Sequence, residues 1–436
     1  MDLMNKNLLK LSIDLSANAE CLFKQDARLV AAIDSLFYKD ITKPVVEKVL
    51  LPERKLQFSE VQSLLNQTTE NDDILKNEKQ NNKKSILKKI EDILESINRS
   101  AENGDNPKLI IRNQRIWSNC IYDLDRVTLK SLSTAKNTVV RYSRGEDSSR
   151  FNTIVFVLTR VHDLLMKNLT VTRREMYYQN VTRFRKQVDL DIGVRDVCCL
   201  LETPPWELGV VATAKGLVAG PLQILTRDGT VIDCMTSGGT LIPQDINGIR
   251  EFKSSAKYIL VVEKDAVFQK LLDEGAPIRL RPVIIITGKG YPDVCTRQLL
   301  CRLVADLRLK PLALVDADPH GYEIFLTYKY GSLAQSHLSL SLACPKLSLL
   351  GARHDDVMTL TSKDSRMSLT NTDKRKLKSL MNRPYLSSVI GSRIKEELNA
   401  MLLSGVKAEI ESLASTAAAL CDSYLPSKII QGDFLG

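Results

Sequence analysis

Three short apolar runs in the second half of the chain constrain its fold more than any other feature. They are Tyr258–Val262, Val283–Thr287 and Pro311–Val315, each bounded by turn or charged residues, and helical segments such as Thr296–Leu307 separate them. Apolar strands that alternate with helices are typical of a parallel sheet covered on both faces. The sequence therefore predicts an α/β domain in this half of the chain.

Carboxylates directly follow two of these runs. Glu263 comes after YILVV, and Asp316 and Asp318 come after PLALV. The carboxyl ends of parallel strands meet at one edge of a sheet, and the i, i+2 spacing puts both aspartates on one side of an extended segment. Hard oxygen ligands suit Mg²⁺. Acidic residues at strand ends are common in α/β domains, so only the three together, beside the glycine-rich loop Thr287–Gly290, predict a magnesium site at a solvated rim.

The stretch Val171–Val188 has the periodicity of one helix and is rich in arginine. Four apolar side chains fall on one stripe, which we expect to be buried: Tyr177, Val181, Phe184 and Val188. A second stripe, about 100° away, is polar: Arg174, Tyr178, Thr182 and Arg185. The pattern predicts a phosphate-facing surface with Tyr178 as a candidate nucleophile. An amphipathic core helix with a solvated basic face is the alternative that this stretch alone leaves open.

Residues 145–245 show the order of elements of a winged-helix DNA-binding domain. Helical segments at Phe151–Leu169 and Asp191–Leu201 flank the tyrosine stretch, and strand-like runs follow at Leu208–Thr213 and Leu222–Thr226. We expect these two runs to pair as the β wing of the domain.

An amphipathic helix is predicted at Ser85–Ser100, with Ser85 placed to cap its start. The preceding stretch Thr68–Lys84 is polar and charged, as a solvated linker is. The apolar side of the helix needs a surface to pack on. Either its own domain or the groove of a partner subunit could supply that surface.

Composition narrows the class of protein further. The formal net charge is +9, which permits nucleic-acid binding without demonstrating it. The nine cysteines include no Cys-x-x-Cys pair, so reduced thiols are expected rather than zinc or disulfides. No apolar run approaches the roughly 18 residues of a membrane span. We therefore expect a soluble intracellular protein without a membrane partner.

Four motifs occur in a characteristic order and spacing: RREMYYQN, VEKDAVFQKLL, ITGKGYPDVCTR and LVDADPHGYEI. Together they resemble the A subunit of topoisomerase VI and, more closely, its eukaryotic relatives, the meiotic DNA double-strand-break transesterases. Glu263 with Asp316 and Asp318 is similar to a Toprim metal site. The resemblance runs from Ser85–Ser100 to the SYLPSKI segment near the end, whereas residues 1–80 show no match.

This resemblance implies a multidomain α/β protein. A winged-helix (CAP-like) domain with the nucleophilic tyrosine is expected at 145–245, followed by a Toprim domain with a parallel sheet and the metal site at 246–436. A partner-binding helix and its connection are expected at 85–144. An N-terminal helical extension and polar linker are expected at 1–84.

The resemblance also implies an activity. A homodimer would cut both strands of duplex DNA to initiate meiotic recombination, through a 5′-phosphotyrosyl intermediate. Tyr178 matches the nucleophile of the family, and Arg174 matches the arginine that holds the scissile phosphate. Glu263, Asp316 and Asp318 match the Mg²⁺ ligands, and the tyrosine of one protomer would work with the metal site of the other.

Several partners follow from the same resemblance. We expect further DNA contacts from five basic side chains: Arg173, Arg185, Lys215, Lys289 and His320. A topoisomerase VI B-like subunit is expected to dock on Ser85–Ser100, and other meiotic break accessory proteins are expected to join. The implied place of action is the nucleus, on chromosomes, and the implied enzyme class is that of ATP-hydrolysing type IIB topoisomerases.

Other functions remain open from the sequence. A true topoisomerase VI A subunit would use the same chemistry to relax DNA with an ATPase subunit. A catalytically silent DNA-binding scaffold would not need the intact tyrosine and carboxylates. A Toprim nuclease that activates water would have no use for Tyr178.

Overall fold

The structure is a computed structural model that describes residues 58–122, 126–142, 149–413 and 420–436, with residues 58–79 described by their backbone alone. Most of the predicted N-terminal extension, residues 1–57, lies outside these ranges. The described residues form two compact units. The first comprises 58–120 and 129–212, and the second comprises the remainder.

The first unit is mainly helical. Its elements are α1 (Phe58–Glu102), β1 (Lys108–Arg112), β2 (Asn137–Arg141), α2 (Ser149–Lys167), β3 (Val171–Thr172), α3 (Arg173–Tyr178), α4 (Gln187–Leu201) and β4 (Val210–Val211). β1 and β2 pair in antiparallel fashion, whereas β3 and β4 pair in parallel. The core lies where α1, α2 and α4 meet, and Ile90, Ile154 and Leu190 are fully buried there.

The stretch Val171–Val188 is not one helix, so that prediction is wrong. Val171 and Thr172 are extended because they pair with β4, and α3 then runs for six residues. Asn180 leaves the helical conformation (φ −139°, ψ 33°), a 3₁₀ turn follows at Val181–Arg183, and α4 begins at Gln187. Pairing with a distant strand and a break at Asn180 therefore overrule the local helical periodicity.

The predicted apolar stripe is consequently split. Phe184 is buried and its ring centroid lies 6.4 Å from that of Tyr177, so these two members pack together. Val181 and Val188 are 46% and 58% exposed and do not join them.

The polar stretch 68–84 is not a linker, because it lies within α1. Ser85 is an exposed residue in the middle of this helix and does not cap it. Most of the residues in the stretch are compatible with a helix, and a helix propagates more easily than it nucleates. The amphipathic segment that follows therefore extends back through polar sequence.

The apolar side of α1 packs within its own unit. Ile86 and Ile90 are buried in the core that α2 and α4 share, and Leu87, Ile93 and Leu94 are partly buried against it. The face that carries Ile86 and Ile90 is therefore not free for a partner protein. The expectation that the stripe of Ser85–Ser100 docks a second subunit is wrong for this buried face.

The second unit holds an α/β sheet and its covering helices. Its strands are β5 (Leu217–Ala219), β6 (Leu222–Leu225), β7 (Val231–Asp233), β8 (Thr240–Leu241), β9 (Glu251–Ser254), β10 (Tyr258–Val262), β11 (Val283–Thr287), β12 (Lys310–Leu314), β13 (Ser348–Gly351), β14 (Met367–Ser368) and β15 (Val406–Lys407). Its helices are α5 (Asp265–Asp273), α6 (Ala276–Arg279), α7 (Val294–Asp306), α8 (Pro319–Tyr330), α9 (Ser339–Leu342), α10 (His354–Leu360), α11 (Asn371–Met381), α12 (Val389–Ser404) and α13 (Leu425–Gln431).

The main sheet has the strand order β8-β5-β11-β10-β12-β13. The three strands predicted from the apolar runs are its central strands, and β10 pairs in parallel with both β11 and β12. Every residue of β10 and β11 is buried, which explains their unbroken apolar sequence. The predicted parallel sheet is confirmed.

The predicted β wing is not formed. β6 pairs with β7 and β9, whereas Val210 and Val211 pair with β3. Residues 213–245 belong to the second unit, because β5 adds an antiparallel strand to the main sheet beside β11. The boundary between the units therefore lies at 212–213 rather than at 245. The sequence does not reveal this, since the pairing of β5 with β11 joins residues more than 60 positions apart.

Within the described ranges, no helix combines the length and apolar character that crossing a membrane requires. The cysteines in the same ranges form no disulfides, as their spacing predicts.

Candidate active site

Tyr178 is the last residue of α3, a short helix whose start is fixed by a capping box. Thr172 Oγ1 accepts the N–H of Glu175, and Glu175 Oε2 accepts the N–H of Thr172 at 3.4 Å. The other end is held by Gln179, whose Nε2 donates to Glu175 Oε1 at 3.2 Å. Arg160 of α2 donates to Gln179 Oε1 at 3.0 Å. The backbone beneath Tyr178 is therefore fastened at both ends.

The two adjacent tyrosines have different environments. Tyr178 is 69% exposed, the most exposed tyrosine in the described part of the chain, whereas Tyr177 is half-buried against the core. Their rings meet edge to face at 5.5 Å between centroids. Of these two residues, Tyr178 is the exposed one, as the sequence predicts.

Basic side chains surround this phenol in the sequence, but they differ in their contacts. Arg174 and Arg185 are exposed. Arg173 lies 3.9 Å from Asp191, and burial raises the pKa of Asp191 although Arg173 and Arg195 lower it. Arg183 lies over the ring of Phe156 at 4.7 Å.

The carboxylates lie at the carboxyl ends of adjacent strands, as predicted. Glu263 follows β10, and its Oε2 accepts the N–H of Asp316 after β12 at 2.8 Å. The N–H of Gly290, in the loop after β11, donates to the carbonyl of Glu263 at 2.9 Å. Asp318 caps the start of α8, and its Oδ1 accepts the N–H of Gly321. Three strand ends therefore meet at one rim.

This rim is less solvated than the sequence predicts. Glu263 is 9% exposed and Asp316 is 6% exposed, so only Asp318 is partly open to solvent. Burial, together with the neighbouring charge of Asp316, raises the pKa of Glu263 to about 8. Burial also raises the pKa of Asp316 to about 6, against the opposing effects of the Ile410 N–H and Lys264. Buried carboxyls of like charge account for both shifts.

The carboxylate oxygens are engaged by protein groups. Asp316 Oδ1 accepts the N–H of Ile410 at 2.9 Å, and Asp316 Oδ2 lies 3.1 Å from Lys264 Nζ. Within the described residues, no three His, Cys, Asp or Glu side chains converge closely enough, as they stand, to hold a metal ion. The donor set still fits Mg²⁺, because it offers hard oxygens and an uncompensated buried carboxyl at Glu263. Magnesium binding by Glu263, Asp316 and Asp318 stays a prediction.

Sequence reasoning missed three residues of this rim. Lys264 Nζ lies 3.1 Å from Glu409 Oε2 and 3.0 Å from Glu411 Oε2, in addition to Asp316. These two glutamates come from a segment almost 150 residues further along the chain. Their i, i+2 spacing in KAEIESL is the only signal that could have pointed to them.

The expected DNA-contacting residues divide between the two units. Arg173 and Arg185 belong to the first unit. In the second, Lys215 Nζ donates to the carbonyl of Lys289 at 3.1 Å, and Lys289 Nζ lies 3.0 Å from Asp265. His320 is exposed, with Nδ1 3.5 Å from the hydroxyl of Tyr291. Lys215 and Lys289 therefore meet beside the loop that contacts Glu263.

A second cluster, also missed, surrounds Glu323 on α8. Tyr291 donates to its carboxylate, Lys376 lies beside Oε2 and Arg383 beside Oε1. Burial alone would raise the pKa of Glu323, but Lys376, Tyr291 and Arg383 lower it to about 2. The same carboxylate raises the pKa of Tyr291, in addition to the effect of burial.

Comparisons with known proteins match two family models to the chain. The family model for the Toprim domain shared by Spo11 and the A subunit of topoisomerase 6 matches residues 258–429. The family model described as type IIB DNA topoisomerase matches residues 149–210. The first match spans the three carboxylates, and the second spans Arg174 and Tyr178.

Full-length relatives are similar over most of the chain. The mouse meiotic recombination protein SPO11 is 35% identical over 353 residues, 80% of this chain and 88% of that protein. The human protein of the same name is 36% identical over 354 residues, with the same coverage. The A subunit of DNA topoisomerase 6 from Arabidopsis thaliana is 36% identical over 358 residues, 80% of this chain and 82% of that protein.

Proposed function

The chain belongs to the family of topoisomerase VI A subunits and Spo11 proteins, and on that premise we propose that it makes the DNA double-strand breaks of meiotic recombination. The reaction is a transesterification rather than a hydrolysis. Its product is a 5′-phosphotyrosyl DNA end and a free 3′-hydroxyl. Similarity to proteins named for meiotic recombination supports this process, and the topoisomerase VI A relatives support the chemistry.

The observation that carries the assignment of the nucleophile is the exposure of Tyr178. It is 69% exposed at the end of a helix held by a capping box and by Gln179, while Tyr177 packs inward. A nucleophile that must reach a phosphate in duplex DNA needs both an open approach and a fixed base. Tyr178 combines the two.

In the proposed reaction, the phenolic oxygen of Tyr178 attacks a backbone phosphorus and the phenol loses its proton. The bond from phosphorus to the 3′-oxygen breaks, and that oxygen leaves as a hydroxyl after it gains a proton. Arg174 is proposed to hold the phosphate, because it is exposed one helical turn before Tyr178 and its guanidinium matches phosphate oxygens. The guanidinium would then stabilise the negative charge that develops on the phosphate oxygens during the attack.

We propose that Glu263, Asp316 and Asp318 hold Mg²⁺. A bound Mg²⁺ would supply Lewis-acid stabilisation of phosphate charge. Their position at adjacent strand ends and the raised pKa of Glu263 support this proposal, since a cation would relieve the repulsion between buried carboxyls.

For the first unit, we propose a winged-helix-like role in DNA binding. The elements run in the order α2, β3, α3, α4 and β4, with β3 and β4 paired, and the family match to 149–210 covers them up to the first residue of β4. Arg173, Arg174 and Arg185 would contact DNA phosphates. The β wing would have to come from elements other than the predicted hairpin.

Lys215, Lys289 and His320 are proposed to contact DNA from the second unit. Lys215 and Lys289 meet at the loop beside Glu263, and His320 is exposed on the first turn of α8. Lysine and histidine side chains placed beside the carboxylates would attract the phosphate backbone.

The active form is proposed to be a homodimer that acts on chromosomes in the nucleus, together with accessory proteins that include a topoisomerase VI B-like subunit. Tyr178 and the carboxylates belong to different compact units, which suits an arrangement in which they work in different protomers. A mixture of Tyr178→Phe and Glu263→Ala chains should then nick DNA, because one of the two sites in the hybrid keeps both groups. Failure of proven hybrids to nick, combined with nicking by a verified monomer, would reject the shared site.

The central experiment is capture of the covalent protein–DNA complex under denaturing conditions. Wild type should yield labelled DNA attached to protein, and Tyr178→Phe should yield none while it still binds DNA. Tyr177→Phe is the matched control and should retain attachment, because it removes the hydroxyl of the half-buried neighbour. Equal attachment by wild type and Tyr178→Phe would refute the assignment.

A second function has one observation in its favour, the 36% identity to the A subunit of a plant DNA topoisomerase 6. In that case the chain would relax supercoiled DNA together with an ATPase subunit, which would supply the ATP hydrolysis. A relaxation assay with a co-purified partner separates the two functions, since a break-forming enzyme leaves covalent ends and does not return relaxed circles.

A further inference from the structure

Lys264 lies at the centre of a ring of carboxylates. Its Nζ is 3.1 Å from Asp316 Oδ2, 3.1 Å from Glu409 Oε2 and 3.0 Å from Glu411 Oε2. The Lys264 side chain is about three-quarters buried. Its ammonium therefore lies within ion-pairing distance of three carboxylates at once.

The two glutamates belong to the segment Val406–Leu413, which also binds the rim through its backbone. The N–H of Ala408 donates to the carbonyl of Ala317, between the two aspartates, at 3.1 Å. The N–H of Ile410 donates to Asp316 Oδ1 at 2.9 Å. Ala408 and Ile410 are buried, so the segment is a fixed part of the rim.

We propose that Lys264 is a positioning residue that acts as a tethered cation of the carboxylate rim. Its ammonium holds Asp316 and the glutamates of Val406–Leu413 together and takes the position that a soluble cation would otherwise fill. Asp316 is thereby oriented beside Glu263, which is left as the buried carboxyl without a cationic partner among the described residues.

The charge balance at Lys264 supports this role. Three carboxylates within 3.1 Å of one nitrogen carry more negative charge than the ammonium neutralises. Without the ammonium they would repel each other, and the partly buried position would weaken the screening by solvent. Magnesium could then enter the vacated position, since it prefers carboxylate oxygens.

Lys289 provides a matched comparison at the same rim. Its Nζ pairs with the single carboxylate of Asp265 at 3.0 Å, and both side chains are more than one-third exposed. Removal of Lys289 leaves one solvated carboxylate rather than a ring. Lys264 and Lys289, which follow neighbouring strands, should therefore differ in what their removal does to the rim.

This inference deepens the proposed function, since it concerns the same rim, but it is tested without DNA so that the two can fail separately. The measurement is the Tm of the full chain, first in chelator and then with MgCl₂. Lys264→Met should lower the Tm in chelator and should show a magnesium-induced rise about 3 °C larger than that of wild type. Lys264→Arg should behave like wild type, and so should Lys289→Met.

A second variant distinguishes loss of the Lys264 charge from loss of the contacts that its side chain makes. In the double variant Lys264→Met with Glu411→Gln, the charge surplus is smaller, so the extra magnesium-induced rise should shrink and the Tm in chelator should recover. If Lys264→Met does not fold, recovery of folding in the double variant supports the proposal, and failure of both variants overturns it. Equal magnesium-induced rises in wild type and Lys264→Met also overturn it, whatever the outcome of DNA cleavage.

Discussion

The tyrosine helix and the carboxylate rim are built in opposite ways. The helix α3 is fixed by side-chain hydrogen bonds between residues three or four positions apart, and by a hydrogen bond from Arg160, 19 positions before Gln179. The rim is fixed by hydrogen bonds between residues 53, 94 and 147 positions apart: Glu263 with Asp316, Asp316 with Ile410, and Lys264 with Glu411. One is a local structure on a surface, and the other exists only in the complete fold.

The two regions also differ in the solvent exposure of their functional side chains. Tyr178 is open to solvent, whereas Glu263 and Asp316 are buried among backbone groups that depend on them. Substitutions at the tyrosine helix should therefore affect chemistry with little effect on stability. Substitutions at the rim should affect both, so loss of activity there identifies a ligand only when folding is measured alongside it.

The largest expected effect is on the rim, at Gly321. A Cβ at this position would lie 2.3 Å from the carbonyl oxygen of Asp316 and 2.9 Å from its nitrogen, and neither backbone atom can move away easily. Gly321→Ala should lower the free energy of unfolding by about 3 kcal/mol. Urea denaturation measures this loss. Gly238→Ala is the control, because a Cβ there meets no atom within 4 Å, and a similar loss in both variants would contradict the argument.

A smaller effect is expected at Glu323. This residue tests whether the stability of the cluster beside the rim, like that of the rim, depends on contacts between residues distant in sequence. Glu323→Gln removes the charge that Lys376 and Arg383 bind, and should cost about 2 kcal/mol at pH 7. The folded-state pKa of about 2 lies below the usual 4.5 of glutamate. The stabilisation by Glu323 is therefore present above pH 4.5 and is lost as the pH falls towards 2.

Denaturation of wild type and Glu323→Gln across this range should give curves that converge as the pH falls. Glu251→Gln serves as the control, since the Glu251 carboxylate pairs with Lys253 at 3.7 Å on an exposed surface. A difference between wild type and Glu323→Gln that stays constant down to pH 2 would contradict the ionic explanation.

The capping box of the tyrosine helix gives the next smaller effect. Thr172→Ala removes the acceptor for the N–H of Glu175 and should cost about 1 kcal/mol. The yield of covalent complex should fall as well, because the backbone beneath Tyr178 loses one of its attachments. Thr159→Ala on α2 changes an exposed threonine that caps no helix, and it should retain the wild-type yield. Unchanged attachment in Thr172→Ala would show that the cap does not position the tyrosine.

The smallest effect on stability is expected at Arg174. Its side chain is exposed, so Arg174→Ala should leave the free energy of unfolding within about 0.5 kcal/mol of wild type. Covalent attachment should nevertheless fall sharply, since the phosphate would lose its guanidinium. Lys363→Ala, at an exposed site in the second unit, is the control for a lost surface charge. A large loss of stability in Arg174→Ala would remove the contrast between the two regions.

Some features of the fold follow from the sequence for physical reasons. The sequence predicts the strands β10, β11 and β12, because a central parallel strand is buried on both faces and needs an unbroken apolar run. The carboxylates that follow β10 and β12 must then lie at one edge. Tyr178 is separable from Tyr177 because one turn of helix places adjacent residues on different sides.

Other features depend on contacts with residues distant in sequence, which no local sequence pattern indicates. The helical periodicity of Val171–Val188 is genuine, yet β3 is extended because β4 pairs with it, and Asn180 breaks the rest. The sequence predicts Leu222–Thr226 as one strand of a β wing, but the strand formed there, β6, pairs with β7 and β9. The apolar stripe of α1 is equally compatible with a partner-binding surface and with a core face. Only its packing against α2 and α4 shows that it is a core face.

The sequence by itself determined the chemistry that is available: a tyrosine with arginines on a short spacing, and carboxylates at the ends of strands that must be central. The tertiary structure decided which of these groups are accessible and which are restrained. It exposed Tyr178, buried Glu263 and Asp316, and brought together Lys264 and Glu411, which are 147 positions apart in the sequence. The physical reason is that periodicity and strand order are properties of neighbouring residues, whereas burial and ion pairing depend on contacts between residues distant in sequence.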